Sequence, residues 1–351
     1  MIPPGSTIGI LGGGQLGRML AMAATQLGYR CHVYTPEPGS IAGEVCANHT
    51  TAAWDDAAAM AEFASQCAVI TYEFENVPVA PLAALGDVPL FPPLRALEVA
   101  QDRLTEKQFV ADLGGRTAPF MAVDTPEDLE AALVRIGSPG ILKTRREGYD
   151  GKGQYRIAND HEAEGIAIGG QPMLYEGLVQ FSHEFSVILC RGQDGQMVFW
   201  DSAENVHEHG VLATSRVPAP AEIEAQVADA RALARQVANA LGYVGVAAFE
   251  FFATTDGPVF NEMAPRVHNS GHWTIEGALT SQFENHIRAV CGLPLGDTRL
   301  AARSVMMHNL IGDAAQDWSA LLADPANHLH LYGKGDPRPG RKMGHVTRLV
   351  L

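Results

Sequence analysis

No apolar run in this chain approaches the length of a membrane span. The first six residues, Met1 to Ser6, offer neither the basic stretch nor the apolar core of a secretory leader. Cysteine is sparse and unpatterned: Cys31, Cys46, Cys67, Cys190 and Cys291 form no CxxC pair and no metal-type spacing. An odd count without pattern suits reduced thiols, each a small buried hydrophobe. A cytoplasmic location is the expectation, with no membrane partner. Positive charge is short as well. Lysine and arginine total 25 against 40 acids, a formal net charge of −15. Nucleic acid is thereby disfavoured as a partner, because phosphate backbones select basic surfaces. A small anion is not disfavoured, since it needs only a local basic pocket. Internal repeats and low-complexity segments are missing too.

What is present is a globular composition. The 351 residues, 46% hydrophobic and 19% charged, suffice for two or three domains with sizeable cores. Apolar segments at 7–11, 31–34 and 68–72 read as strands, with helical periodicity at 18–27 and 57–64 between them. That alternation predicts a parallel, doubly wound sheet. Prolines from Pro89 to Pro93 mark a first boundary. A helix is expected at 104–113, stopped by Gly114 and Gly115. Thr125, Pro126, Glu127 and Asp128 make a helix start, with a Thr cap, a first-turn proline and first-turn acids. Residues 141–143 read as a strand ending in Lys143, and 173–217 as antiparallel strands turning at 192–195 and 209–210. Ile223, Val227, Ala230, Leu233, Val237 and Leu241 mark one face of a single long helix. A further helix is expected at 282–290, a linker at 294–298, and strands at 304–307, 328–331 and 344–351.

Glu250 and Glu262 are the most informative pair. They flank a turn at 254–258, and a hairpin folded about Asp256 sets them opposite each other on one face. Opposed like charges destabilise unless neutralised, and Mg²⁺, which takes carboxylate oxygen and is often shared with phosphates, would neutralise them. Two solvated glutamates on an edge strand are the alternative. Gly12, Gly14 and Gly17 follow a strand and open a helix, the setting of a dinucleotide fingerprint. The acid that fingerprint wants at the end of the second strand is missing, for Thr35 and Pro36 stand there before Glu37. The turn either binds another phosphate or only reverses the chain.

Glu73 and Glu75 alternate at the C-terminal end of the third strand, the edge at which open parallel sheets take ligands. They face that crevice, or they are capping or solvated acids. Lys143 is followed by Arg145, Arg146, Gly148, Gly151, Lys152 and Gly153. This is a phosphate loop with freedom to close, or a basic hairpin tip. His268 and His272 have the spacing of a helical zinc pair, yet Pro265 and the run Asn269, Ser270, Gly271 disfavour a helix. Anion binding by Arg266, His268 and Asn269 suits that loop better. His207, His209, His308, His328 and His330 show no metal spacing. Arg338, Arg341 and Lys342 on a Pro-Gly turn form either a solvated face or a site for a phosphate monoester.

Taken together these residues resemble the ATP-grasp enzymes, and among them the carboxyaminoimidazole ribonucleotide synthetase family. The matching segments are 9–19, 102–108, 148–154, 261–273 and 338–345, in the family's order over nearly the whole chain. The run from His268 to Trp273 is specific to this family, whereas the Gly-rich turn alone is not. The resemblance implies an α/β fold, α+β in its central part. Its expected parts are an N-terminal Rossmann-like domain with a doubly wound parallel sheet (1–92), a two-lobed ATP-grasp region (93–294, lobes parting near 174) and a small C-terminal domain (295–351). The chain ends at Leu351, where many relatives run on, so either the last domain is trimmed or the sequence is shortened at that end.

The implied reaction joins ATP, bicarbonate and aminoimidazole ribonucleotide through carboxyphosphate, with Mg²⁺ as cofactor. Arg103 and Lys143 would contact ATP phosphates, with Tyr149, Gly151, Gly153 and Asn261 also at the nucleotide. Glu176 would sit at the adenine end and Glu184 at the ribose, while Glu250 and Glu262 hold Mg²⁺. Arg266, His268 and Asn269, with Lys143, would act on bicarbonate and the transferring phosphoryl group. Gln15, Leu16, Glu73, Tyr149 and Asp150 would face the ribonucleotide, and Lys334, Arg341 and Lys342 its phosphate. A homodimer is implied as well. Phosphoryl transfer needs mainly positioning and charge neutralisation, and a short-lived intermediate needs a closing loop. The rival readings are another ATP-grasp carboxylase or ligase with a different acceptor, an NAD-dependent dehydrogenase using Gly12 to Gly17, and a non-catalytic nucleotide-binding regulator.

Overall fold

The computed structural model describes residues 1–148 and 153–351. Strands β1 (Thr7–Leu11), β2 (Arg30–Thr35), β3 (Asn48–Thr51) and β4 (Val69–Tyr72) form a parallel sheet in the order β3-β2-β1-β4. Strand periodicity sends successive side chains to opposite faces. Accordingly Ile8, Ile10 and Val33 join one core with Leu16 and Leu20 of the helix Gln15–Gln26. Leu11, Tyr34, Ile70 and Tyr72 join another with Met60 and Phe63 of the helix Ala57–Ser65. Both faces are thus covered, as a doubly wound sheet requires. The first helix begins at Gln15, ahead of the expected 18, which brings Gln15, Leu16 and Gly17 into its first turn. Strand β3 escapes sequence reading because it is a polar edge strand, Asn-His-Thr-Thr, with no buried side.

Strands β5 (Phe120–Val123), β6 (Gly140–Thr144), β7 (Gln154–Ile157) and β8 (Met173–Gly177) make an antiparallel sheet ordered β5-β8-β6-β7. The helix Pro126–Ile136 packs on it, starting at a capping box in which Thr125 Oγ1 accepts from Asp128 N at 3.2 Å and Asp128 accepts from Thr125 N at 2.9 Å.

The remaining strands are β9 (His183–Arg191), β10 (Met197–Phe199), β11 (Ala203–Glu208), β12 (Val211–Val217), β13 (Gly245–Thr254), β14 (Gly257–Ala264), β15 (Ser304–Ile311), β16 (Asn327–Leu331) and β17 (Lys342–Val350). They form one antiparallel sheet, β14-β13-β9-β11-β12-β15-β17-β16, with β10 paired to β9. The β11–β12 turn is His209-Gly210, both at positive φ (51° and 79°), the geometry that two-residue hairpins favour. The last three strands continue this sheet through the β12–β15 pairing. On β13, Ala247, Phe249 and Phe251 face a core shared with the helix Val227–Ala240, and Val246 and Ala248 face one shared with the helix Gln282–Val290. The single helix expected at 223–241 is broken into Ala221–Glu224 and Val227–Ala240. At the break, Gln226 Nε2 donates to Thr254 O at 3.0 Å and to Glu222 O at 3.1 Å.

Candidate active site

The β13–β14 hairpin puts Glu250 directly opposite Glu262. The route to that register is not the simple turn. Thr254 pairs with Gly257, and that register alone would set Glu250 opposite Asn261. A bulge between the Phe251–Phe260 and Glu250–Glu262 pairs shifts β14 by one residue. Phe260 and Met263 therefore reach the same core although three residues apart, and Glu262 turns to the face of Glu250. Burial, then the facing Glu262, pushes the Glu250 carboxyl up to about 7. Burial also opposes ionisation of Glu262, but Arg103 Nη1 at 3.0 Å outweighs it and holds that carboxyl below its usual range. Two opposed carboxylates, of which only Glu262 is paired with a guanidinium, are short of positive charge. That donor set fits a hard divalent cation whose other ligands are phosphate and water.

Arg103 and Lys107 stand one turn apart on the helix Arg103–Asp112, so they share a face. Asp102 caps this helix through Leu104 N (3.0 Å) and Thr105 N (3.2 Å), and it also takes Arg145 Nη2 at 2.7 Å. Arg103 Nη2 donates to Gly148 O at 2.9 Å. Lys107 Nζ donates to Asn261 O at 3.0 Å, at the bulge itself, and lies 3.4 Å from Glu176. Lys143 Nζ meets the same Glu176 oxygen at 3.0 Å. Glu176 is thus held between two lysines. Burial raises it, the two ammonium groups lower it, and the lowering wins. Burial lowers Lys143 despite Glu176. Glu106 accepts from Met263 N at 2.6 Å, while burial and then Glu262 push it up to about 8. Glu184 sits 2.6 Å from His207 Nδ1.

Downstream of the hairpin, Glu75 grips Arg266 with both carboxylate oxygens, one of them 2.7 Å from Nη2. His268 is extended, and residues 269–271 form one short turn. Its Nδ1 lies 2.9 Å from Ser270 Oγ and its Nε2 3.6 Å from Glu250. Burial, then Arg266 and Lys342, holds the imidazole well below its usual range, so it is neutral at pH 7. His272 belongs to the core, fully buried, and its neighbours are Phe283, Tyr332 and His345. Asn269 and Asn309 exchange amide hydrogen bonds of 2.9 and 2.8 Å, tying the loop to β15.

The Gly-rich turn already holds an anion of its own. Gly14 N and Gly17 N donate to Glu73 at 2.8 and 3.1 Å. The carboxylate occupies the helix start where a dinucleotide phosphate would sit, and a Cβ at Gly14 would lie 2.9 Å from it. This disposes of the dehydrogenase reading. It also means that Glu73 meets a ligand only with a carboxylate already engaged.

A cleft of about 1010 Å³ gathers most of these groups. Gln15, Leu16 and Glu73 line it from the N-terminal sheet, and Arg103, Glu262, Arg266, His268 and Asn269 from the centre. Lys334, Arg338, Arg341 and Lys342 line it from the C-terminal end. Lys143, Glu176, Glu184, Glu250 and Asn261 do not line it: Lys143 holds Glu176, Glu184 meets His207, Glu250 lies opposite Glu262, and Asn261 O takes Lys107. Gly153 joins β6 through its carbonyl, which accepts from Thr144 N at 2.8 Å. Tyr149, Asp150, Gly151 and Lys152 lie outside the described residues. Sequence reading gave no role to Lys107, Glu106, His207 or Asn309. Lys107 shares a helix face with Arg103, but its partners, Asn261 and Glu176, are distant in sequence.

Three family models match the chain in series. They are the ribonucleotide synthetase preATP-grasp domain at residues 5–101, the ATP-grasp domain at 108–283 and the phosphoribosylaminoimidazole carboxylase C-terminal domain at 305–350. N5-carboxyaminoimidazole ribonucleotide synthase of Brucella melitensis biotype 1 is 51% identical over 354 residues, covering 99% of this chain and 97% of the relative. The crystal structure of the synthetase from Thermus thermophilus is 49% identical, with a TM-score of 0.90 over 97% of this chain and 93% of that one. The Aspergillus clavatus synthase in complex with ADP and 5-aminoimidazole ribonucleotide is 30% identical, with a TM-score of 0.91 over 99% and 94%.

Proposed function

The chain belongs to the N5-carboxyaminoimidazole ribonucleotide synthase family, and from that premise we propose how its residues carry the reaction. It is an ATP-dependent ligase that carboxylates 5-aminoimidazole ribonucleotide in purine biosynthesis. Bicarbonate supplies the carboxyl group. Its oxygen attacks the γ-phosphorus of ATP, the bond to ADP breaks, and carboxyphosphate forms. The amine of the ribonucleotide then takes the carboxyl carbon. The C–N bond forms, the C–O bond to phosphate breaks, and an amine proton leaves with the phosphate.

Arg103 and Lys143 neutralise the phosphates of ATP, with Asn261, Gly153 and the loop residues Tyr149 and Gly151 beside them. Glu176 and Glu184 take the adenosine end. Glu250 and Glu262 would hold Mg²⁺, which would supply positive charge to the transferring phosphoryl group. Arg266, His268 and Asn269 receive bicarbonate, the neutral His268 as a hydrogen-bonding group whose Nδ1 is already taken by Ser270 N. Gln15 and Leu16 face the ribonucleotide with Tyr149 and Asp150, on a turn that Glu73 holds. Lys334, Arg341 and Lys342 take its phosphate. Residues 1–92, 93–294 (lobes parting near 174) and 295–351 are the proposed domains. A homodimer and a cytoplasmic location complete the reading; the five cysteines are free, and no helix among the described residues is long and apolar enough to cross a membrane.

The observation that carries the proposal is the convergence of Glu262, Arg266, His268 and the Arg338–Lys342 turn on one cleft. The test is the product formed from ATP, bicarbonate and aminoimidazole ribonucleotide. The expected result is one ADP and one phosphate per carboxylated ribonucleotide. ADP release stimulated by other amines, and not by this ribonucleotide, would defeat it.

A further inference from the structure

We propose that Gln282 is the positioning residue for the bicarbonate end of the site, its carboxamide fixing His268 through both backbone groups of that residue. The proposal rests on the functional reading above.

Gln282 opens the helix Gln282–Val290, yet its side chain is 0% exposed. A buried carboxamide is costly unless its donor and acceptor are both used. Here Oε1 accepts from His268 N at 2.9 Å and Nε2 donates to His268 O at 2.6 Å. Meeting the N–H and C=O of one residue is what a neighbouring strand does. His268 has left β14 and pairs with no strand among the described residues; Gly271 N reaches its carbonyl at 3.0 Å, and the glutamine meets both its N–H and its C=O. The same Nε2 lies 3.3 Å from His272 Nδ1. The backbone N–H of Gln282 donates to Thr274 Oγ1 at 3.0 Å, and that hydroxyl donates to Gly271 O at 2.6 Å. Residues 268, 271 and 272 are therefore pinned to one helix start.

Gly271 is required by this arrangement, because a Cβ there would lie 2.6 Å from Gln282 Oε1 and 2.6 Å from Ile188 Cδ1. Neither Gln282 nor Gly271 lines the cleft, whereas Arg266, His268 and Asn269 do. The glutamine thus acts through the loop. Its effect is the aim of the His268 ring at Glu250, 3.6 Å away.

The test compares Gln282→Leu, Gln282→Glu and Gly271→Ala with the wild type, varying ATP and bicarbonate separately. ADP, carboxylated product and Tm are all measured. Displacing an oriented group by about 1 Å can cost 10²-fold. Gln282→Leu should lower kcat/KM for bicarbonate by roughly 10- to 100-fold while KM for ATP stays within about twofold. ADP formed per carboxylated product should rise above the wild-type ratio. Gly271→Ala should reproduce the same split by pushing the carboxamide aside. Gln282→Glu, which keeps the acceptor and loses the donor when ionised, should fall between. If Gln282→Leu does not fold, the other two variants carry the test. Wild-type bicarbonate kinetics in the variants would overturn the proposal. So would a parallel loss in ATP and bicarbonate parameters that tracks Tm. The wild-type control separates the two levels: if it forms no carboxylated ribonucleotide, the functional reading fails, and bicarbonate-stimulated ADP release still reports on the clamp.

Discussion

Glu250 faces Glu262 across a hairpin whose register is set by a bulge at Asn261. Two carboxylates opposed in this way repel each other when no cation lies between them. Glu250→Gln removes the repulsion and also a ligand. The metal-free variant should melt higher than the metal-free wild type. The rise in Tm on adding Mg²⁺ should shrink, and ADP formation should fall by roughly 10²-fold or more, as when one charge-stabilising group is lost. Thermal melts with and without Mg²⁺ and a coupled ADP assay check this. A variant that melts lower and keeps its Mg²⁺ response would count against the metal assignment.

Lys107 joins the bulge to the ATP side: its ammonium meets Asn261 O at 3.0 Å and lies 3.4 Å from Glu176, with only 1% of its side chain exposed. Removing one partner of a buried pair leaves the other uncompensated, at a cost of about 3–5 kcal/mol. Here Lys143 still holds Glu176, so Lys107→Met should cost less, about 2–3 kcal/mol. In a double-mutant cycle with Glu176→Gln, measured by urea unfolding, the coupling should be about 1–3 kcal/mol. A coupling near zero would mean that Lys107 acts only through Asn261.

The legibility of the site follows from which signals are local. Opposition of Glu250 and Glu262 could be read from apolar alternation and turn residues. Even so, the inference about Asp256 combined two unseen features: a two-residue turn at Thr255-Asp256, and the bulge that restores the offset. The capping box at Thr125 was legible because it involves neighbours in sequence. Lys107 looks like any solvated helix lysine until β14 is laid against it. Glu75 with Arg266, Asn269 with Asn309 and Gln282 with His268 are joined only by tertiary structure. A strand-end position points Glu73 at a ligand crevice or at a capping role, and it does not reveal that two backbone amides claim its carboxylate.

Glu75 comes from the end of the N-terminal sheet and Arg266 from beyond the hairpin, so their two-pronged pair couples two parts of the cleft. A forked guanidinium–carboxylate contact fixes orientation as well as charge. Glu75→Gln can keep at most part of that fork. Stability should drop by about 1–3 kcal/mol, and kcat/KM for bicarbonate by roughly tenfold as Arg266 loses its aim. Denaturant titration and steady-state kinetics measure the two effects. An increase in bicarbonate efficiency would show instead that Glu75 competes with the substrate for Arg266.

Glu73 supplies the pH test. Burial raises its carboxyl above the usual range, against the opposing donation of Gly14 and Gly17 amides. A folded value above the unfolded one means that the native state holds its proton longer. Stability from this group is then fully present below the unfolded carboxylate range, and it is lost as pH rises through the folded value. Glu73→Gln has no such titration and presents a neutral acceptor to the same amides. The advantage of wild type over the variant in unfolding free energy should therefore decline as pH rises above about 4, the unfolded carboxylate value, toward neutrality. Urea unfolding of both proteins at matched ionic strength from about pH 4.5 to 8 measures the difference directly. An advantage that grows with pH would mean that the amide donors outweigh burial and hold Glu73 ionised, as an acid lodged at a helix start otherwise would be.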